Sequence, residues 1–313
     1  MSVTYESHGD VALLTLDRPD RFNAVTQEVC DGLVAGLERA GREARAAVIT
    51  GAGKAFCSGA DLSDLMGEYE TGGPDLARVI EQRFTPMVQA LLAAPVPTVA
   101  AVNGAAAGAG LGLALACDLR VMADSAFFLS AFIGLALIPD TGTTWLLPHH
   151  LGLSRALEFT FTNRRMGAEE AQSLGLVADV VAVDAVVERA LEAAVPLTDG
   201  PTTAYVETRR LLVAASYDAP DAAFGREQET QGHLGNAAAH LEGMSAFLEK
   251  RPPDFRRSGT DSAGPGTGGD TGPDPGDPPP QHHHQHDSGH GEDDGHDQGQ
   301  QRVGQGEGDH PCH

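Results

Sequence analysis

The stretch Thr98-Val99-Ala100-Ala101-Val102-Asn103-Gly104-Ala105-Ala106-Ala107-Gly108-Ala109-Gly110-Leu111-Gly112-Leu113-Ala114-Leu115-Ala116-Cys117 decides the fold. Residues 98–102 read as a buried strand, because a short unbroken apolar run between turn signals suits a sheet covered on both faces. Glycine and alanine then turn the chain, and an apolar helix runs to about Cys117. Strands 119–123 and 127–129 follow. Upstream, 46–50 is another buried strand, and it too ends in a turn, Gly51-Ala52-Gly53, leading to Lys54-Ala55-Phe56-Cys57-Ser58-Gly59-Ala60-Asp61-Leu62. Strand, strand, helix recurs with variation to about residue 180, the order of an α/β domain.

The remaining elements fit around this core. Strands 3–7 and 11–16 flank the turn signal His8-Gly9-Asp10. After a polar loop at 17–23, Thr26 is placed to cap a helix with Val29, Leu33 and Leu37 on one face, ending near Gly41. Residues 51–73 read as a long loop, which in a compact domain is usually functional. A helix over 74–94 is stopped by Pro95 and Pro97. From 184 onward the pattern is helical, over 184–195, 201–215, 221–233 and 236–249. The predicted organisation is a core over 1–195, a helical oligomerisation region over 196–257, and a disordered tail over 258–313.

The tail is Gly, Pro, Asp, His and Gln with almost no aliphatic residue, too little apolar surface to offset its ordering entropy. It holds eleven Asp/Glu and one Arg, so about −10 of the formal charge of −23 belongs to it and about −13 to the body. A body so acidic, with no Lys/Arg cluster, repels nucleic acid and anionic membranes. The tail histidines, from His282 to His313, are metal-prone in composition, but a dispensable extension is the favoured reading. Four cysteines, at 30, 57, 117 and 312, show no metal or redox spacing and suit idle thiols in a reducing cytoplasm. The first residues lack the pattern of a signal peptide, and the apolar run 111–116 is too short to span a bilayer.

Both Gly/Ala turns can aim backbone N–H groups. Gly59 permits a bend that leaves the N–H of Ala60 unpaired. At Gly108-Ala109-Gly110 a helix begins, and a helix start offers free N–H groups and partial positive charge. Converging on one oxygen, the two would form an oxyanion hole. Neither turn fits a nucleotide motif. The 108–112 run is too irregular for a dinucleotide fingerprint and lacks its ribose-binding acid, and Gly51-Ala52-Gly53-Lys54 lacks the first glycine and the Ser/Thr of a P-loop. His149-His150 has no third ligand at metal spacing, so no metal site is expected. Asp140 offers two readings: an acid/base group, or the cap of the helix after Pro139-Asp140-Thr141-Gly142.

Taken together, Arg18-Pro19…Arg21-Phe22-Asn23-Ala24, Phe56 to Leu62, Ala101 to Arg120, and Leu241-Glu242-Gly243-Met244…Phe247-Leu248-Glu249-Lys250-Arg251…Phe255 resemble the crotonase superfamily of enoyl-CoA hydratases and isomerases over 1–257. The resemblance implies a spiral of ββα repeats with a C-terminal helical extension, assembled as a trimer or a dimer of trimers. It implies an acyl-CoA thioester substrate, with CoA part of that substrate and no separate cofactor. The N–H groups of Ala60 and Ala109 would hold the thioester oxygen, with Gly108 beside them. Arg21 and Ala24 of the first loop, with Ala60, Asp61 and Leu62 of the turn, would lie along CoA. Phe132 and Leu135 would line the acyl pocket, and Phe247 and Lys250 would approach the CoA of a neighbouring subunit.

One departure narrows the reaction. Hydratases of this family use two glutamates, and this chain has Gly112 and Phe132 at those positions. Neither side chain transfers protons. Asp140 stands where some family isomerases carry their acid, and its run is similar to isomerases of the phenylacetate-degradation type. A single base suffices for a 1,3-proton shift, so the expected reaction moves a carbon–carbon double bond; the alternatives are hydration or another enolate-forming reaction, and acyl-CoA binding without turnover with a metal-binding tail. Apolar neighbours such as Phe132, Leu111 and Leu135 are expected to raise the pKa of Asp140 by desolvation.

Overall fold

The computed structural model describes residues 2–65, 75–215, 231 and 237–255, apart from the side chains of Leu65, Ala215 and Phe247. These all belong to one unit of the chain, Met1–Ser262. The helix expected over 221–233 (Gln231 apart) and the tail at 258–313 lie outside the described residues.

The chain opens with β1 (Val3–His8) and β2 (Val11–Leu16), an antiparallel hairpin. Thr26 caps the Gln27–Glu43 helix as expected, its Oγ1 accepting the Val29 N–H. That helix buries Val29, Cys30, Leu33, Leu37 and Ala40. The repeats follow. β3 (Ala46–Gly51) leads to β4 (Ala55–Cys57), then to helical segments Leu76–Val79 and Thr85–Leu92. β5 (Thr98–Val102) leads to β6 (Ala105–Ala107) and the Ala109–Ala116 helix. β7 (Leu119–Ala123) leads to β8 (Phe127–Leu129) and helices Thr143–Leu151 and Leu153–Thr162. β9 (Arg165–Gly167) and β10 (Asp179–Val181) complete the strands.

Each repeat gives one strand to each of two sheets. The larger has the order β1-β2-β3-β5-β7-β10 and the smaller β4-β6-β8-β9. β3, β5 and β7 run parallel, as do β4, β6 and β8. This is the ββα spiral expected. Every residue of β3 and β5 is buried, which explains their unbroken apolar runs. The Ala109–Ala116 helix is buried on all sides, so it carries no polar face at all.

Three expectations need correction. The supposed loop over 51–73 contains β4 and a 3₁₀ turn, Leu62–Leu65. The helix expected over 74–94 is broken by a π-helical segment, Ile80–Phe84, just before Pro86 in the Thr85–Leu92 helix. The missing N–H of Pro86 removes the acceptor pairing that a straight α-helix would use there. The helix expected over 184–195 begins in a 3₁₀ turn and runs on as Val186–Asp199, with Pro196 inside it.

The Thr202–Ala215 helix is clamped to the core through Arg209. Its guanidinium is bidentate on Asp118, at 2.6 Å for each bond, and donates to the carbonyls of Ala94 and Val96. Asp118 also accepts the Thr98 N–H at 2.8 Å. Asp118 is therefore a structural residue. Arg209→Ala removes the donor to the Ala94 and Val96 carbonyls and the cation facing Asp118, and is expected to cost about 3 kcal/mol, read as a lower urea midpoint. A loss below about 0.5 kcal/mol, the scale of an exposed pair, would contradict this role.

Candidate active site

The two Gly/Ala turns meet. Gly59 has φ +101, and a side chain there would begin 3.0 Å from the Ala107 carbonyl oxygen and 3.5 Å from the Ala109 nitrogen. Gly108 has φ +53, and a side chain on it would begin 3.7 Å from the Gly59 Cα. Both positions admit only glycine without strain. Gly110 seats the helix start on β4, since a Cβ there would collide with the Cys57 carbonyl.

This packing leaves two N–H groups uncommitted by their neighbours' pairing. Ala60 forms an isolated parallel bridge with Val25, in which Gly59 O accepts the Val25 N–H and Asp61 N donates to Val25 O. In such a bridge the N–H of the middle residue faces away from the partner strand. Ala109 is the first residue of its helix, where the N–H has no intrahelical acceptor.

Asp140 sits on the loop that enters the Thr143–Leu151 helix. The cap of that helix is Gly142, in a left-handed conformation, and no side chain caps it. The capping reading of Asp140 is thereby overturned. The Asp140 carbonyl accepts the Thr143 N–H at 2.9 Å, and its carboxylate accepts the Thr141 hydroxyl at 2.5 Å. Burial pushes its pKa above the usual carboxylate range, and the Thr141 bond opposes that shift.

Gly112 explains how this loop comes so close. A Cβ at 112 would collide with the Thr141 carbonyl oxygen and lie 3.0 Å from the Thr141 Cβ and Cγ2. The space a hydratase glutamate would need is filled by the residue next to Asp140. Phe132, at the other hydratase position, is buried, with its Cζ 3.9 Å from where a Gly108 side chain would begin.

The other expected residues are placed as follows. Arg21 is exposed in a 3₁₀ turn, Pro19–Arg21. Ala24 is buried and its carbonyl accepts from Arg18 at 2.6 Å. The Asp61 carboxylate is committed to Arg18 at 2.8 Å and to Ser63, its N–H donates to the Val25 carbonyl, and its own carbonyl accepts the Asp64 N–H. Leu62 is exposed. Leu135 is 57% exposed, which corrects its expected part in desolvating Asp140. The left-handed Ala136 ends the Phe132–Leu135 turn and swings the chain outward there. Lys250 is exposed after the Ala238–Glu249 helix, and the Phe247 side chain lies outside the described residues.

A cleft of about 430 Å³ opens beside the turns, lined by Phe22, Lys54, Ser58, Asn103, Ala105 and Phe127 among others. Lys54 is its charged residue, and nothing in the sequence marked it beyond a failed P-loop match. The cysteines at 30, 57 and 117 are buried thiols with pKa values pushed up to about 12, which makes Cys57 a packing residue and no nucleophile. His149 is exposed, while burial pushes the pKa of His150 down to about 4. Among the described residues no group of three His, Cys, Asp or Glu could hold a metal, and no helix is long and apolar enough to cross a membrane.

Residues 6–258 match the family described as enoyl-CoA hydratase/isomerase. A "Probable enoyl-CoA hydratase" of Rhodobacter capsulatus is 42% identical over 255 residues, 81% of this chain and 97% of the relative. The 1,2-epoxyphenylacetyl-CoA isomerase of Escherichia coli is 37% identical over 247 residues, 78% of this chain and 94% of the relative. The crystal structure of an enoyl-CoA hydratase from a Polaromonas species is similar, with a TM-score of 0.75 at 32% identity over 80% of this chain and 98% of the other. The double-sheet ββα spiral with these matches defines an enzyme of the crotonase type. The chain belongs to the enoyl-CoA hydratase/isomerase family, whose members act on acyl-CoA thioesters.

Proposed function

We propose that this enzyme is an acyl-CoA isomerase that shifts a carbon–carbon double bond, with Asp140 as the sole proton shuttle. The observation that carries the reading is the desolvated carboxylate of Asp140 on a loop that fills the place of a hydratase acid at Gly112. For a 3-enoyl thioester, Asp140 takes the C2 proton. The electron pair passes to the thioester oxygen, held by the N–H groups of Ala60 and Ala109. The dienolate collapses as Asp140 returns the proton to C4, leaving the double bond between C2 and C3. No water is consumed and no cofactor enters. A carboxyl with a raised pKa is the better base for so weak an acid. The cleft beside Phe22 and Lys54 suits the CoA portion, with the ammonium of Lys54 near its phosphates. The trimeric or hexameric assembly and the neighbour-subunit roles of Phe247 and Lys250 remain part of this proposal.

A second reading, hydration, is favoured by the name of the Rhodobacter capsulatus relative. Incubation of 3-enoyl-CoA and 2-enoyl-CoA in H₂¹⁸O separates the two. Isomerisation without label supports the proposal, and label at C3 overturns it. Gly112→Glu is expected to abolish isomerase activity, by about 10²-fold or more, without creating a hydratase, because the new side chain displaces Thr141 and with it Asp140. Measurable ¹⁸O incorporation by that variant would contradict the packing argument.

A further inference from the structure

We propose that Thr141 is a positioning residue for Asp140: its hydroxyl, fixed by an unfavourable backbone and seated on Gly112, holds one carboxylate oxygen so that the other faces the substrate. The inference rests on the isomerase reading of Asp140 and deepens it.

Thr141 is a β-branched residue at φ +53, in a region that disfavours such side chains. Glycine would sit there without strain, as Gly142 does at φ +72. A strained residue persists when its surroundings over-determine it, and such residues cluster at functional sites. Here the surroundings are identifiable. Thr141 is 3% exposed, its carbonyl, Cβ and Cγ2 fill the space over Gly112, and the Thr143 N–H anchors the Asp140 carbonyl. With its backbone and methyl fixed, the Thr141 Oγ1 has one placement, 2.5 Å from Asp140 Oδ1. One oxygen is thus held and one is left for the proton.

The hydroxyl also stabilises the ionised carboxylate, against the desolvation that favours the neutral form. The charged groups on the packed elements are engaged elsewhere. Arg83 of the π-helical segment lies 3.8 Å from Asp64, Glu81 of the same segment is exposed, and His149 bonds the Trp145 carbonyl. His150, also on the helix after the loop, is held neutral by burial, and the Ala109–Ala116 helix carries no titratable side chain. Among the described residues Asp140 makes no ion pair, so the hydroxyl is its specific polar partner.

The test compares Thr141→Val, Thr141→Gly and Thr141→Ser in the full chain, by pH profiles of kcat and kcat/KM for 3-enoyl-CoA. Val keeps the shape and loses the hydroxyl; Gly loses the hydroxyl and relieves the backbone strain, so an effect common to both belongs to the hydroxyl. Both are expected to move the acid limb up by about one pH unit and to lower kcat about tenfold, with KM within about twofold. Thr141→Ser, which keeps the hydroxyl, is expected to retain the native midpoint. An unmoved midpoint in Val and Gly, or an equal shift in Ser, overturns the proposal. Asp140→Asn run alongside distinguishes the two levels. If it is inactive while the Thr141 midpoints are unmoved, the positioning role alone falls. If it is fully active, the isomerase reading falls first.

Discussion

Replacement of Asp140 by Asn is expected to lower kcat for the 3-enoyl to 2-enoyl shift by about 10³-fold or more. A positioned acid/base group is worth about 10²–10⁴, and in the proposed mechanism one group performs both proton transfers. The asparagine amide keeps the size and the Thr141 hydrogen bond but cannot take a proton. Binding of a saturated acyl-CoA is expected to change little, so the loss belongs to kcat. The same variant is expected to be more stable at neutral pH. Burial raises the folded-state pKa of Asp140 above its ordinary value of 3.8. The ionised carboxylate therefore weakens the fold, fully above the folded-state pKa. The penalty fades as pH falls and vanishes below about 3.8, where the group is protonated in both folded and unfolded chains. Melting curves should show Asp140→Asn ahead at pH 7 and level with the parent in acid. A full rate in the variant would sink the catalytic assignment.

The second large effect concerns a backbone atom. Ala109→Pro removes one N–H from the thioester oxygen and is expected to lower kcat by about 10²–10³-fold, the cost of one oxyanion donor. Proline is tolerated at the first position of a helix, where the N–H has no helical partner. The residue before it is Gly108, which lacks the Cβ that a following proline crowds. The fold should therefore survive, as read by circular dichroism and a melting temperature within a few degrees. Solvent deuterium exchange at C2 of a saturated acyl-CoA isolates enolate formation from the rest of the reaction. A folded variant that exchanges at the parental rate would show that the donor lies elsewhere.

Much of this architecture was legible in the chain. Strands β2, β3 and β5 are apolar runs of five or six residues bounded by turns, long enough for their pattern to register, and β1 is marked by the turn signal at His8-Gly9-Asp10. β4 and β6 were not, because three residues of Ala-Phe-Cys or Ala-Ala-Ala carry no periodicity. They exist because the second sheet needs one short strand from each repeat. The π-helical segment was also hidden, since its cause is a single Pro86 in a sequence that otherwise reads as helix. At the site, Asp140 was found through the resemblance, while its local sequence suited a cap equally well. Only the left-handed Gly142 decided that question. Leu135 was misread because apolar character predicts burial, and the turn around Ala136 points that residue outward. Thr141 carried no signal at all. Its part depends on a contact with Gly112, 29 positions away.

That contact also constrains how such an enzyme can change over generations. A mutation that puts a carboxylate at 112 meets a space occupied by Thr141, so on the proposed mechanism its bearer loses the old reaction before gaining a new one. A shortened or refolded 139–142 loop has to come first, and it gives up the base before any replacement exists. On the proposed mechanism, residues 112 and 139–142 are therefore a coupled pair, in which neither can be exchanged singly without a loss of activity.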